Sequence, residues 1–179
     1  MDNHKFEHVV FFDFEASTDG EKHKPYLVCW SYDKINDYRY GKNCAIQFLD
    51  LIPDKSLCYA HNLSYDISFL IDHFTFIYDN PIIKSGKVMS LKASYNKKTF
   101  VFKDTYSIIS KPLRMFPEMF KLSTGRKEVF PYNYYNSTRA GQMFGDINEA
   151  LEYISSVNWK GLIPGLERIS ELMHLLGDP

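Results

Sequence analysis

His8-Val9-Val10-Phe11-Phe12-Asp13-Phe14-Glu15 is a β-type run that ends on two carboxylates one residue apart. Successive side chains of a strand point to opposite faces, so Asp13 and Glu15 share a face while Phe14 turns into the core. Two like charges held that close repel each other unless a cation shares them. Downstream, Tyr59-Ala60-His61-Asn62-Leu63-Ser64-Tyr65-Asp66 reads as a short strand passing into a helix, with Asp66 in the first helical turn. A third carboxylate arriving from a neighbouring strand-to-helix junction completes an oxygen-rich set suited to Mg²⁺ or Mn²⁺. These are the ions of two-metal phosphodiester chemistry.

Outward from these two segments, residues 8–14 and 26–32 are rich in β-branched and aromatic residues and predict a hairpin across the polar turn Ser17 to Lys24. Tyr38-Arg39-Tyr40 predicts a third strand, and the apolar spacing of Cys44 to Ile52 predicts a helix stopped by Pro53. Leu57 to His61 reads as a fourth, buried strand. Asn62 to Phe74 reads as a helix with Ile67, Leu70, Ile71 and Phe74 on one face. Val88 to Tyr95 and Thr99 to Asp104 predict a second hairpin, joined by Asn96-Lys97-Lys98. Pro112 opens a short helix reaching Phe120, and Pro131 an irregular aromatic stretch. Asp146 and Pro164 are placed to start helices through Ile154 and Leu175. Strands and helices in this order predict an α/β architecture, a mixed sheet with helices packed on it.

A chain of 179 residues, 45% hydrophobic and 16% aromatic, suits one domain with a substantial core, here taken as 1–179. No apolar run reaches the roughly 20 residues of a membrane span, and the polar start Met1-Asp2-Asn3-His4-Lys5 has no signal-peptide core behind it. The expectation is a soluble, intracellular protein with no membrane partner. Cys29, Cys44 and Cys58 have neither disulfide-framework nor zinc spacing and are expected to be buried, reduced thiols. The net charge of −1 hides an uneven distribution: residues 81–130 carry eleven Lys or Arg against Asp104, Glu118 and Glu128, a segment of +8 beside a remainder of −9. Cations interleaved with Tyr95, Phe100, Phe102 and Tyr106 suit a surface that tracks phosphates and stacks bases.

Asp13-Phe14-Glu15-Ala16-Ser17-Thr18 together with His61-Asn62-Leu63-Ser64-Tyr65-Asp66 resembles the first two exonuclease motifs of the proofreading domains in family B DNA polymerases. The likeness is to the protein-primed branch of viruses, organelles and linear plasmids. Phe102-Lys103-Asp104-Thr105-Tyr106 sits where that branch has an Asp-Ser/Thr-Leu element contacting single-stranded DNA, with Tyr106 replacing the leucine. Lys127-Glu128-Val129-Phe130-Pro131-Tyr132 looks like its lysine-containing segment near the scissile phosphate. The resemblance covers roughly residues 8–135. It implies an RNase H-like fold with an added β-hairpin, and 3′–5′ removal of nucleotides from DNA during replication.

On that resemblance Asp13, Glu15 and Asp66 are the metal ligands, Asp13 shared by both ions, and Lys127 completes the catalytic set by stabilising charge on the phosphate. His61, Asn62 and Tyr65 would hold the frayed 3′ end, Thr105 and Tyr106 would position the strand, and Tyr132 would orient Lys127. The implied partners are a single-stranded DNA 3′ end, the polymerase domain of the same protein and a terminal protein. Asn62 is equally placed to cap the following helix, and Asp104 reads as a turn residue at a strand end.

The family's fourth carboxylate, given late in the domain by Tyr-x-x-x-Asp, has no match: Tyr132 leads to Asn136, Tyr134 to Thr138, Tyr135 to Arg139 and Tyr153 to Val157. His174-Leu175-Leu176-Gly177-Asp178 keeps only the spacing. There is also no Asp-Thr-Asp palm sequence, so this chain alone does not polymerise DNA. The expectation is an exonuclease domain cut before its last motif, the N-terminal part of a longer polymerase. The competing reading is a non-catalytic module binding single-stranded DNA or a replication partner. A third is a nuclease of the same broad class acting on RNA.

Overall fold

Alternation decides the first strand: Val10, Phe12 and Phe14 are buried, whereas Val9, Phe11 and Asp13 are exposed. The buried set packs against one helix, where Phe48 contacts Phe12 at 5.0 Å, Trp30 at 5.5 Å and Phe14 at 6.0 Å between ring centroids. Each such ring removed from water contributes about 2–3 kcal/mol, so this aromatic knot is a principal source of the fold's stability.

The computed structural model describes residues 6–18 and 20–121. Its elements are β1 (His8–Ser17), β2 (Lys24–Tyr32), β3 (Ile35–Tyr40), α1 (Cys44–Leu51), β4 (Ser56–Ala60), α2 (Leu63–Ile67), β5 (Phe76–Lys84), β6 (Lys87–Tyr95), β7 (Lys98–Asp104) and α3 (Phe116–Met119). Short 3₁₀ turns lie at Ile71–His73 and Leu113–Met115. The strands form one sheet in the order β3-β2-β1-β4-β7-β6-β5. Its centre is parallel, β1 with β4 and β4 with β7, and its flanks are antiparallel. The mixed α/β sheet with an added hairpin is therefore the architecture observed, and the added hairpin is β5–β6, with β7 belonging to the parallel centre.

The hairpin turns at Asp33-Lys34, Ser85-Gly86 and Asn96-Lys97 all have positive φ at both residues, the backbone that suits tight turns between twisted strands. The expected strands and the helix ending before Pro53 are present with small shifts of boundary. Two expectations differ. The helix read through Phe74 ends at Ile67, because Ser68, Phe69 and Leu70 donate to the carbonyls of Tyr65, Asp66 and Ile67, three residues back, which tightens the chain into 3₁₀-type turns. The sheet also gains β5 along Phe76–Lys84, whose pattern is broken by Asp79-Asn80-Pro81. The ladder is irregular there, between Tyr78 and Ile82, and an edge strand tolerates the proline's missing N–H.

Cys44 and Cys58 are buried as expected, and burial pushes both thiols up, Cys44 to about 11. Cys29 is exposed instead, because it lies on the same face as its partner Asp13, away from the aromatic knot. Among the described residues no helix is long and apolar enough to cross a membrane. The helices expected at 146–154 and 164–175 and the aromatic stretch after Pro131 lie outside the described residues.

Candidate functional site

β1, β4 and β7 run parallel, so their C-terminal ends meet along one border of the sheet, where open α/β folds place their ligands. The β1–β4 ladder stops at Phe11↔Tyr59, and β4–β7 at Ala60↔Asp104. Asp13, His61 and Thr105 therefore lie at one level, where β4 and β7 end and β1 runs on paired only with β2. A bulge after Glu15 re-aims β1 beside that level.

Past the end of β4, the Phe14 N–H has no strand to bond on that side, and Asp66 takes it: Oδ1 accepts that N–H at 2.9 Å. Asp66 is thus docked against the peptide between Asp13 and Glu15. It is only 2% exposed. Burial pushes its carboxyl up to about 7; the Phe14 N–H opposes this, and the neighbouring Asp13 and Glu15 charges reinforce it. Asp13 is exposed and lines an open hollow of about 500 Å³ with Phe11, Cys29, Asn36 and Tyr38, so it is reachable from solvent. Tyr65 stands beside the same charges: its phenol is raised by burial, then by Asp66, Glu15 and Asp13. Its hydroxyl lies 3.2 Å from His23 Nδ1, a neighbour the sequence did not suggest.

The other expected contacts converge around Asp104. This carboxylate is 2% exposed, and its Oδ1 accepts the backbone N–H of Asn62 at 2.9 Å, Leu63 at 3.3 Å and Tyr106 at 3.0 Å. Asn62 adopts the left-handed conformation, φ 69, with no capping bond from its own side chain. The expected cap is thus supplied by Asp104 from across the sheet. Reading Asp104 as a turn residue captures its place at the strand end and its local bond to Tyr106 but misses the clamp on Asn62 and Leu63, which are distant in sequence.

Thr105 Oγ1 donates to the Ala60 carbonyl at 3.1 Å and lies 3.0 Å from His61 Nδ1. With the hydroxyl hydrogen used, the network assigns the ring proton to Nδ1. Nε2 is then a bare acceptor, buried and without a hydrogen-bond partner. Tyr106 and Phe116 flank the ring edge-on at 5.3 and 5.6 Å. The structure thus brings Asp13, Glu15, His61, Asn62, Tyr65, Asp66, Thr105 and Tyr106 to one border; Lys127 and Tyr132 lie outside the described residues.

Among the described residues no three His, Cys, Asp or Glu side chains stand close enough together to enclose an ion as they are. The donor chemistry nevertheless fits a hard divalent cation. Asp13, Glu15 and Asp66 offer only oxygen, and a cation would offset both the burial that chiefly raises the Asp66 carboxyl and the lesser push of the Asp13 and Glu15 charges.

The site is thus a set of carboxylates and aromatic side chains gathered at the ends of the parallel strands of a mixed sheet. Residues 49–162 match the family described as DNA polymerase type B, organellar and viral, and the chain belongs to that family. It is 30% identical over 128 residues to the DNA-directed DNA polymerase of Enterobacteria phage PRD1, covering 67% of this chain and 22% of that protein. The chain thus spans about a fifth of that relative's length. Phi29 DNA polymerase solved with single-stranded DNA superposes with a TM-score of 0.59 at 16% identity, over 80% of this chain and 28% of that one. Its post-translocation complex with primer-template DNA gives 0.58 at 16% identity, over 83% and 30%. These likenesses establish the fold, an open α/β mixed sheet flanked by helices with an added hairpin, and the protein-primed family B lineage.

Proposed function

We propose that residues 1–179 form a 3′–5′ exonuclease domain within a longer protein-primed family B polymerase, acting on the 3′ end of single-stranded DNA. The observation that carries this reading is the bond from the Phe14 N–H to Asp66, which docks a buried carboxylate between Asp13 and Glu15 at the end of the parallel strands. Mg²⁺ or Mn²⁺ held by Asp13, Glu15 and Asp66 would neutralise the phosphate and make water nucleophilic. The remaining residues bind and orient. His61, Asn62 and Tyr65 would hold the frayed 3′ end, Tyr65 and Tyr106 offer ring faces to its bases, and Thr105 holds the His61 ring in place. Lys127 is assigned to the phosphate, with Tyr132 orienting it. The polymerase domain and a terminal protein are the proposed macromolecular partners.

The test is degradation of a 5′-labelled single strand in Mn²⁺ by the chain and by the Asp13→Ala/Asp66→Ala double variant. Stepwise 3′ shortening by the chain, lost in a folded double variant, is expected. Equal cleavage by both rejects the site. The absence of a Tyr-x-x-x-Asp sequence favours a second reading, a module that binds the strand without turnover. Binding with no shortening in either protein selects it.

A further inference from the structure

The turn of the β5–β6 hairpin ends at Lys87, a residue with no part in the site read from the sequence. Ser85 and Gly86 make the tight turn, both with positive φ, and the Val88 N–H donates to Ser64 Oγ at 2.7 Å, pinning the hairpin to α2. Lys87 is thereby carried to the site border. Its Nζ donates to Asn62 Oδ1 at 3.2 Å and stands 5.3 Å from the centre of the Tyr106 ring. Both of these neighbours are neutral, and none of the ion pairs His8–Asp33, Arg39–Asp37 and Lys55–Glu7 involves Lys87. An exposed ammonium held over an amide and a ring is aimed by neutral groups. Its full charge remains for an anion.

We infer that Lys87, with Asn62 and Tyr106, forms a clamp for one internucleotide phosphate of the bound single strand, the Tyr106 ring taking the adjoining base. This rests on the single-strand reading above and adds the element that delivers the cation: the hairpin inserted between α2 and β7. An ammonium contacts a backbone phosphate whatever the base, so the clamp fixes the position of the strand without selecting its sequence.

The experiment measures binding of a fluorescent single-stranded DNA to the full chain in EDTA, at several NaCl concentrations, for the wild type, Lys87→Gln and Lys87→Arg. Lys87→Gln is expected to weaken binding about fivefold to tenfold at low salt and to flatten the slope of log K against log salt by about 0.7, the loss of one phosphate contact; Lys87→Arg restores both. A series of strands with a single neutral methylphosphonate linkage then locates the contact. The Lys87→Gln effect is expected to vanish for one linkage position only. An unchanged salt slope, or an effect spread equally over all linkages, overturns the clamp while leaving the domain's DNA binding intact. If the wild-type chain fails to bind single strands, the functional reading itself falls, and the clamp with it.

Discussion

Asp66 shows how a single buried carboxylate makes stability depend on pH. Its carboxyl is raised to about 7, first by burial, and the unfolded value is near 4. Between those values the folded chain binds more protons than the unfolded one, so stability falls as pH rises from about 4 to about 7 and then levels off. In EDTA, Asp66→Asn is expected to lose this dependence and to exceed the wild type above pH 7 by on the order of a few kcal/mol, read from urea denaturation at pH 4.5, 6 and 8. A parallel pH dependence in both proteins would show that the Asp66 charge is not the cause. Asp104 behaves differently, because its Oδ1 satisfies three backbone N–H groups. Asp104→Ala should cost about 3 kcal/mol or more and weaken strand binding through Asn62, whereas Asp104→Asn, keeping an acceptor, should cost clearly less. The carboxylates Asp13, Glu15 and Asp66 were legible in the sequence because strand alternation and a strand-to-helix junction are local patterns. The Asp104 clamp and the Lys87 contact were not, since both join residues brought together only by the sheet.

At the scale of elements, what the sequence reveals depends on how far an element's stability is local. β1, β2 and β4 announce themselves through apolar runs, whereas β5 exists only because β6 offers it a partner, despite Pro81. The end of α1 is another long-range product. Lys98, in the half-buried start of β7, donates to the carbonyls of Leu49 at 3.3 Å, Asp50 at 2.6 Å and Ile52 at 3.0 Å, groups that a helix terminus leaves without internal partners. Asp54 Oδ1 accepts the Thr99 N–H at 2.7 Å beside it, so the β6–β7 turn and the α1 terminus cap one another. Lys98→Met keeps the aliphatic stem and removes the charge that faces the helix dipole. It should lower stability by about 1–2 kcal/mol in urea denaturation while leaving single-strand affinity unchanged, because the turn lies at the opposite end of β7 from Asp104. A loss of affinity without a loss of stability would place Lys98 on the binding surface instead.

Over the whole molecule, the sheet order separates two charges. β1 carries Asp13 and Glu15, while β6, β7 and the segment after them carry most of the basic excess of residues 81–130. Such an arrangement lets a polyanion approach the basic flank away from the repulsion of the carboxylates. Lys111, Arg114 and Lys121 are exposed on the chain that leaves the site end of β7, and it is Tyr106 and Phe116, not these cations, that contact the His61 ring. Their charges should act on encounter more than on the bound state, since exposed cations guide diffusion through a field that salt screens within about 10 Å at 0.1 M. The triple variant Lys111→Gln/Arg114→Gln/Lys121→Gln is therefore expected to slow association with single-stranded DNA about tenfold at low salt in stopped-flow fluorescence, with the difference closing as NaCl approaches 0.5 M and the dissociation rate nearly unchanged. A rise in the dissociation rate that persists at high salt would instead mean that these three residues touch the strand directly, and would extend the binding surface from Lys87 along the segment that follows β7.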